Sequence, residues 1–298
     1  MRILVTGASG FIGGTTVPEL LSAGHEVVGL ARSDAAAATV AALGATVLRG
    51  SLDDLDLLAS AAADADAVVH LAFKHDLAFS GDYAGAADAD LAAIRTLGAS
   101  VGGERALVIA SGLAGLSFGR PTTEDDVASQ EGHASPRVVS ADAALALADD
   151  GVRSSIVRLA PTVHGQGDGG FVQTYAGIAR DTGVVGYVGE GTNRWSAVHR
   201  ADAATLFRLA IEQATPGSVL HGAAEEGIRI RDLAGALGRR LGLPTRSIDP
   251  DDAAEHFGWL APFIAMDAAA SSTLTQQRLG WTPTGPTLLD DVEAGHYG

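Results

Sequence analysis

Eight residues near the N-terminus constrain this chain more than any others. Thr6-Gly7-Ala8-Ser9-Gly10-Phe11-Ile12-Gly13 follows the apolar run Met1–Thr6 and opens a stretch, Gly13–Ala23, that places Val17, Leu20 and Leu21 on one helical face. A strand, a glycine-rich turn and a helix in that order cradle a diphosphate. Gly7 permits the tight turn, Gly10 lets backbone N–H groups approach the pyrophosphate, and Gly13 allows close helix–strand contact. Ser9, Phe11 and Ile12 complete the cradle, and the helix N-terminus favours the anion.

The end of the next strand, Glu26–Ala31, bears on which dinucleotide is held. An acid at that point binds a ribose 2′-hydroxyl and selects NAD. Here the strand ends Gly29-Leu30-Ala31-Arg32-Ser33. A guanidinium and a hydroxyl suit a 2′-phosphate, so Arg32 and Ser33 point to NADP. The competing reading makes Arg32 a solvated loop charge and lets Asp34 serve the ribose, with NAD as cofactor.

Short apolar runs alternate with Ala-rich helical stretches as far as Ser154–Leu159. The expected strands are Met1–Thr6, Glu26–Ala31, Ala45–Arg49, Ala67–Ala72, Ala106–Ala110 and Ser154–Leu159. The expected helices are Gly13–Ala23, Ala35–Leu43, Asp53–Ala63, Ala87–Leu97 and Ala141–Asp149. Apolar strands without polar alternation suit a parallel sheet covered on both faces, so the expected fold is α/β, a Rossmann-type doubly wound sheet. Beyond Gly165, glycine-rich loops and scattered aromatics take over, with helices expected at Ala203–Gln213 and Arg231–Leu241. The division expected is a dinucleotide-binding core over 1–165, joined by 197–220 packing back on it, and a smaller substrate lobe over 166–298.

Composition narrows the function classes. The chain has 298 residues, 47% of them hydrophobic, enough for a large core. Its net charge of -16 repels phosphate backbones and argues against a nucleic-acid partner. It has no cysteine, which excludes thiolate catalysis and cysteine-held metals, and no metal site is expected. No leader or membrane-spanning run is seen, so a cytoplasmic monomer or homodimer acting on a small molecule is expected.

The glycine turn, together with His70-Leu71-Ala72, Val198-His199-Arg200-Ala201-Asp202, Arg158–Gly165 and Leu279-Gly280-Trp281-Thr282-Pro283, resembles the extended short-chain dehydrogenase/reductase superfamily. More narrowly it looks like the NAD-dependent epimerase/dehydratase branch. The resemblance implies that Leu71 and Ala72 border the nicotinamide ribose. It likewise implies that Pro161, Thr162 and Val163 pass under the nicotinamide and that Ser51 and Leu52 lie near the adenine.

The superfamily pairs a proton-exchanging Tyr with a Lys four residues on. This chain has one lysine, Lys74, and position 70 is His70, so the pair does not occur. Counting back from the helix expected at Ala141–Asp149, His133 and Arg137 offer the same spacing. His133 would donate the proton and Arg137 would hold the ribose. The stretch Ser129–Arg137 also reads as an exposed polar loop. Ser111, after the fifth strand, is the candidate for polarising a carbonyl, and His164 is a further acid. His199 reads as structural, holding a loop near Asp202.

On the substrate side, relatives that bind nucleotide sugars commonly carry an Arg where Trp195 stands, and an indole cannot neutralise a diphosphate. Trp195 and Tyr175 are candidate substrate contacts, although aromatics are usually core. The expected activity is NADPH-dependent reduction of a small, weakly charged ketone, enone or imine. The rivals are a nucleotide-sugar epimerase or dehydratase and a non-catalytic NADP(H) sensor.

Overall fold

The computed structural model describes residues 1–116, 118–128 and 135–298. Seven strands form one parallel sheet: β1 (Arg2–Thr6), β2 (Glu26–Ala31), β3 (Thr46–Arg49), β4 (Ala67–His70), β5 (Ala106–Gly112), β6 (Arg153–Leu159) and β10 (Ser218–Gly222). Their order is β10-β6-β5-β4-β1-β2-β3. The order reverses between β1 and β4, which opens a crevice at the carboxyl ends of those strands.

Side-chain alternation along the strands assigns the two faces. Ile3, Val5, Val69 and Val108 pack with α1 (Gly13–Ser22), α2 (Asp34–Ala42) and α8 (Arg200–Gln213). Leu4, Val68, Leu107 and Ile109 pack with α3 (Leu55–Ala63), α5 (Tyr83–Val101) and α6 (Ser135–Ala146). Burial on both sides explains why these strands read as continuous apolar runs. The short α4 (His75–Phe79) follows the loop after β4. Local caps fix helix starts: the Ser33 hydroxyl accepts from Ala36 N at 3.2 Å, and the Asp82 carboxylate accepts from Gly85 N at 2.9 Å.

A second core lies beyond β6. Strands β7 (Thr162–His164), β9 (Arg194–His199) and β11 (Glu225–Arg229) form a three-stranded sheet, and β8 (Val185–Val188) pairs in parallel with β12 (Thr245–Ile248). Helices α7 (Phe171–Thr182), α9 (Ile230–Leu241), α10 (Ala253–Phe257), α11 (Ala261–Ile264) and α13 (Leu288–Glu293) enclose it. Helix α12 (Thr273–Leu279) brings Leu279 and Trp281 back to the first core. Strand β10 supplies the sheet's seventh strand.

Helix α6 begins at Ser135, six residues before the Ala141 start read from the sequence. Pro136 sits in its first turn, where proline's fixed φ suits a helix and its missing N–H costs nothing. The earlier start puts Arg137 on the helix. Among the described residues, no helix is long and apolar enough to cross a membrane.

Candidate active site

The glycine turn shows why side chains are excluded from it. Gly7 has φ +70°, and a Cβ there would stand 2.8 Å from Ala72 N and 2.9 Å from the Leu71 carbonyl carbon. The turn therefore abuts Leu71 and Ala72 at the end of β4. A Cβ on Gly13 would lie 2.1 Å from the Gly7 carbonyl oxygen, so α1 rests directly on the turn. A Cβ on Gly10 would meet nothing within 4 Å but that same oxygen, at 3.2 Å. No side chain caps α1 at Ile12. The N-terminus of α1 thus meets the crevice beside Ser9 and Phe11 without a side-chain cap, and its dipole fits a diphosphate. The Arg200 guanidinium lies 5.3 Å from the Phe11 ring centroid, bringing a cation to the rim of the cradle.

At the far end of the crevice, Ala31 ends β2 and Ser33 caps α2. Arg32 pairs with Asp76 at 2.9 Å, with both groups largely exposed. Arg49, at the end of β3, donates to Ser33 O at 2.5 Å and to Asp34 at 2.8 Å. The sequence reading missed Arg49, which only the pairing of β2 with β3 brings beside Ser33. Ser51 is bound to Asp54 through both N–H and hydroxyl, and Leu52 is buried in the core.

At the other end of the crevice, beyond the glycine turn, a buried polar chain runs from β1 to α6. The Thr6 hydroxyl lies 2.9 Å from His70 Nδ1 and accepts from Ala72 N at 3.2 Å. His70 Nε2 faces Asp90 Oδ1 at 3.1 Å. A carboxylate only accepts, so Nε2 carries the hydrogen and Nδ1 takes the threonine's. Burial works against the charge on Asp90. The His70 hydrogen bond, the Arg137 charge and the Ser140 hydroxyl outweigh it and hold the carboxyl below its ordinary pKa.

Arg137 closes this chain. Its Nη1 stands 4.0 Å from Asp90, its Nη2 donates to Ala110 O at 2.8 Å, and its guanidinium lies 4.4 Å from the Phe73 ring centroid. His75 and Tyr83 flank the same ring, at centroid distances of 5.1 and 6.1 Å. Burial and the Arg137 charge lower the His75 pKa. Burial raises the Tyr83 phenol, Arg137 opposing and Asp90 adding. Ser111 follows Leu107 and Ile109 in alternation and so shares their face of β5, the face covered by α6.

Asp90, Phe73, His75 and Tyr83 escaped the sequence reading. One signal existed for Asp90: an acid among Ala86, Ala87, Ala93, Ile94 and Leu97, on the buried face of α5.

His133 lies outside the described residues. Three other expectations are corrected. His164 is fully buried, with Nδ1 2.6 Å from Asp291, and is sealed from the crevice, so it cannot hand a proton to a substrate there. Burial lowers its pKa, Asp291 opposing. Trp195 is fully buried and donates its indole N–H to Phe263 O at 3.0 Å. Tyr175 is fully buried and donates to Gly186 O, with burial driving its pKa up. Both aromatics serve the second core and are closed to a substrate.

Of the residues expected under the nicotinamide, Thr162 spends its hydroxyl on Ser196 O at 2.7 Å and Val163 packs against the first core. Pro161 precedes them in the turn out of β6. Arg194 is held by Asp267 through Nε at 3.2 Å and Nη2 at 3.0 Å. His199 accepts from Ala201 N and so caps α8, while Asp202 receives Thr284 N and Gly285 N at 2.9 Å each.

The sequence profile of the NAD dependent epimerase/dehydratase family matches residues 3–221. An uncharacterized protein of Schizosaccharomyces pombe is 47% identical over 100% of both chains. The 2-alkyl-3-oxoalkanoate reductase of Stenotrophomonas maltophilia is 29% identical over 82% of this chain and 77% of its own. Among solved structures, a dTDP-glucose 4,6-dehydratase from Streptomyces venezuelae with NAD bound superposes at a TM-score of 0.78. It is 22% identical, covering 99% of this chain and 96% of its own.

Proposed function

The chain belongs to the NAD dependent epimerase/dehydratase family, and from that premise we propose that it is an NADP(H)-dependent reductase of a small, weakly charged carbonyl compound. The observation that carries this reading is the pair of guanidiniums at the ribose end of the crevice. Arg32 and Arg49 flank Ser33 where β2 ends in Ala31 without an acid. That arrangement suits a 2′-phosphate and offers a 2′-hydroxyl no carboxylate at the strand end.

The bound dinucleotide supplies the hydride; the protein binds, orients and handles the proton. The glycine turn and the N-terminus of α1 hold the diphosphate, with Arg200 at its rim. Ser111, near the carboxyl end of β5, orients the carbonyl. Where relatives that bind nucleotide sugars carry an arginine, Trp195 is fully buried and offers a diphosphate no charge. This favours a substrate without a diphosphate. By its name, the Stenotrophomonas relative reduces an oxo compound.

The test is calorimetry with NADPH and NADH, followed by NADPH oxidation against a panel of aldehydes, ketones and enones. Tighter binding of NADPH with net oxidation is the expected result. Tight binding without turnover would point to a sensor, and turnover of a nucleotide sugar with no net oxidation to an epimerase. Either outcome defeats the reductase reading.

A further inference from the structure

We propose that Tyr83, at the first position of α5, is the proton donor of this site and that Arg137 is the cation that tunes and positions it. The assignment rests on the reductase reading above. It moves the phenol from α6, after β5, to α5, the second helix between β4 and β5, and replaces an ammonium with a guanidinium.

Three observations meet here. The first is the common ring: Phe73 carries the Arg137 guanidinium on its face at 4.4 Å and the Tyr83 ring beside it at 6.1 Å and 54°. Arginine and phenol are thus held against one platform at the carboxyl ends of β4 and β5. The second is anchoring. Arg137 is fixed by Ala110 O and by buried Asp90, and Asp90 is fixed by His70, so the cation cannot drift from the crevice. The third is access: Tyr83 is 37% exposed. The other tyrosines are buried like Tyr175 and Tyr297, or packed on the second core like Tyr187. Among the four tyrosines of the chain, only Tyr83 combines solvent contact with a cation at the nicotinamide end.

The step balances. As the hydride from the reduced nicotinamide reaches the carbonyl carbon, the C=O π pair moves to oxygen. That oxygen takes the hydrogen of Tyr83 Oη, leaving an alcohol, an oxidised nicotinamide and a phenolate. Arg137 offsets the phenolate charge, and Asp90 keeps Arg137 in place without reaching the substrate. Solvent at the exposed edge of Tyr83 returns the proton. Arg137 is therefore a positioning residue and Tyr83 the catalytic one.

The experiment has two readouts. In the first, the ligand-free protein is labelled with ζ-13C tyrosine and titrated by NMR, and the resonance lost in Tyr83→Phe identifies Tyr83. Arg137→Met is expected to raise its midpoint by about one pH unit, and Arg137→Lys to leave it nearly unchanged. A midpoint that stays put or falls in Arg137→Met overturns the role of Arg137. In the second, NADPH oxidation is followed with 4-nitrobenzaldehyde, diacetyl and cyclohexenone. Tyr83→Phe is expected to lower kcat about 100-fold or more while the Kd for NADPH holds. If the unaltered protein oxidises NADPH and Tyr83→Phe keeps more than a tenth of kcat, the donor assignment alone is overturned. If the unaltered protein oxidises no NADPH with any carbonyl, the reductase reading falls first and takes the donor assignment with it.

Discussion

Arg137 and Phe73 meet face to edge of the crevice, guanidinium over ring at 4.4 Å, although 64 residues separate them. This contact ties the first turn of α6 to the loop after β4. A cation–π pair of this kind contributes about 0.5–1 kcal/mol where solvent reaches it. A double-mutant cycle of Phe73→Leu and Arg137→Met on the free energy of unfolding should return a coupling of about that size. A coupling of zero would show that the two side chains are neighbours without mutual stabilisation.

The glycine turn offers a comparison between adjacent residues. Gly13→Ala drives a Cβ to 2.1 Å from the Gly7 carbonyl oxygen, whereas a Cβ on Gly14 meets nothing within 4 Å. Gly13→Ala should weaken NADPH binding at least about tenfold and lower the melting temperature, because α1 must lift off the turn. Gly14→Ala should bind normally and gain up to about 1 kcal/mol of stability through helix propensity. Calorimetry and thermal unfolding of the two variants check both statements.

The proposed preference for NADP rests on Arg32 and Arg49. Removing a hydrogen bond to a charged group costs about 1.5–3 kcal/mol. Arg32→Ala and Arg49→Ala should therefore each weaken NADPH binding about 10- to 100-fold while changing NADH binding little. If the ratio of the two affinities is unchanged in both variants, the 2′-phosphate assignment is lost.

His221 predicts a pH dependence. Its Nδ1 lies 2.9 Å from Ser271 O, its Nε2 is buried without a hydrogen-bond partner, and burial pulls its pKa down from 6.5 to about 4, with Glu124 opposing. Between those values the unfolded chain binds a proton that the folded chain refuses. Stability is thus fully present above pH 6.5 and drains away as pH falls towards 4. The loss is about 3 kcal/mol over that window. Urea unfolding at a series of pH values should show a shallower dependence in His221→Gln, and parallel curves would contradict the assignment.

Much of this architecture can be read from the sequence, for a physical reason. The parallel strands are apolar on both faces, so each stands out as a run. The glycine turn is a local device whose residues lie together at positions 7–13, although its fit against Leu71 and Ala72 comes from the fold. What escaped reading depends on distant pairing. Arg49 becomes relevant only because β3 lies beside β2, and Asp90 only because α5 covers the face of β4 that carries His70. Strands β7 to β12 were also missed. Glu225–Arg229 and Thr245–Ile248 are short, polar and largely solvent-facing, so no hydrophobic period marks them. Trp195 and Tyr175 show the opposite failure: aromatic residues beside a presumed substrate region turned out to be the centre of a second core.

The backbone passes between the two cores repeatedly: out after β6, back at α8, out after β10, back at α12 and out again to α13. A hinge needs one or two pliable connections, and here five would have to bend in concert. Rocking of one half against the other is accordingly stiff. Entry and exit of small molecules fall to the segments bordering the opening, so turnover should respond to substitutions there far more than to substitutions at the crossings.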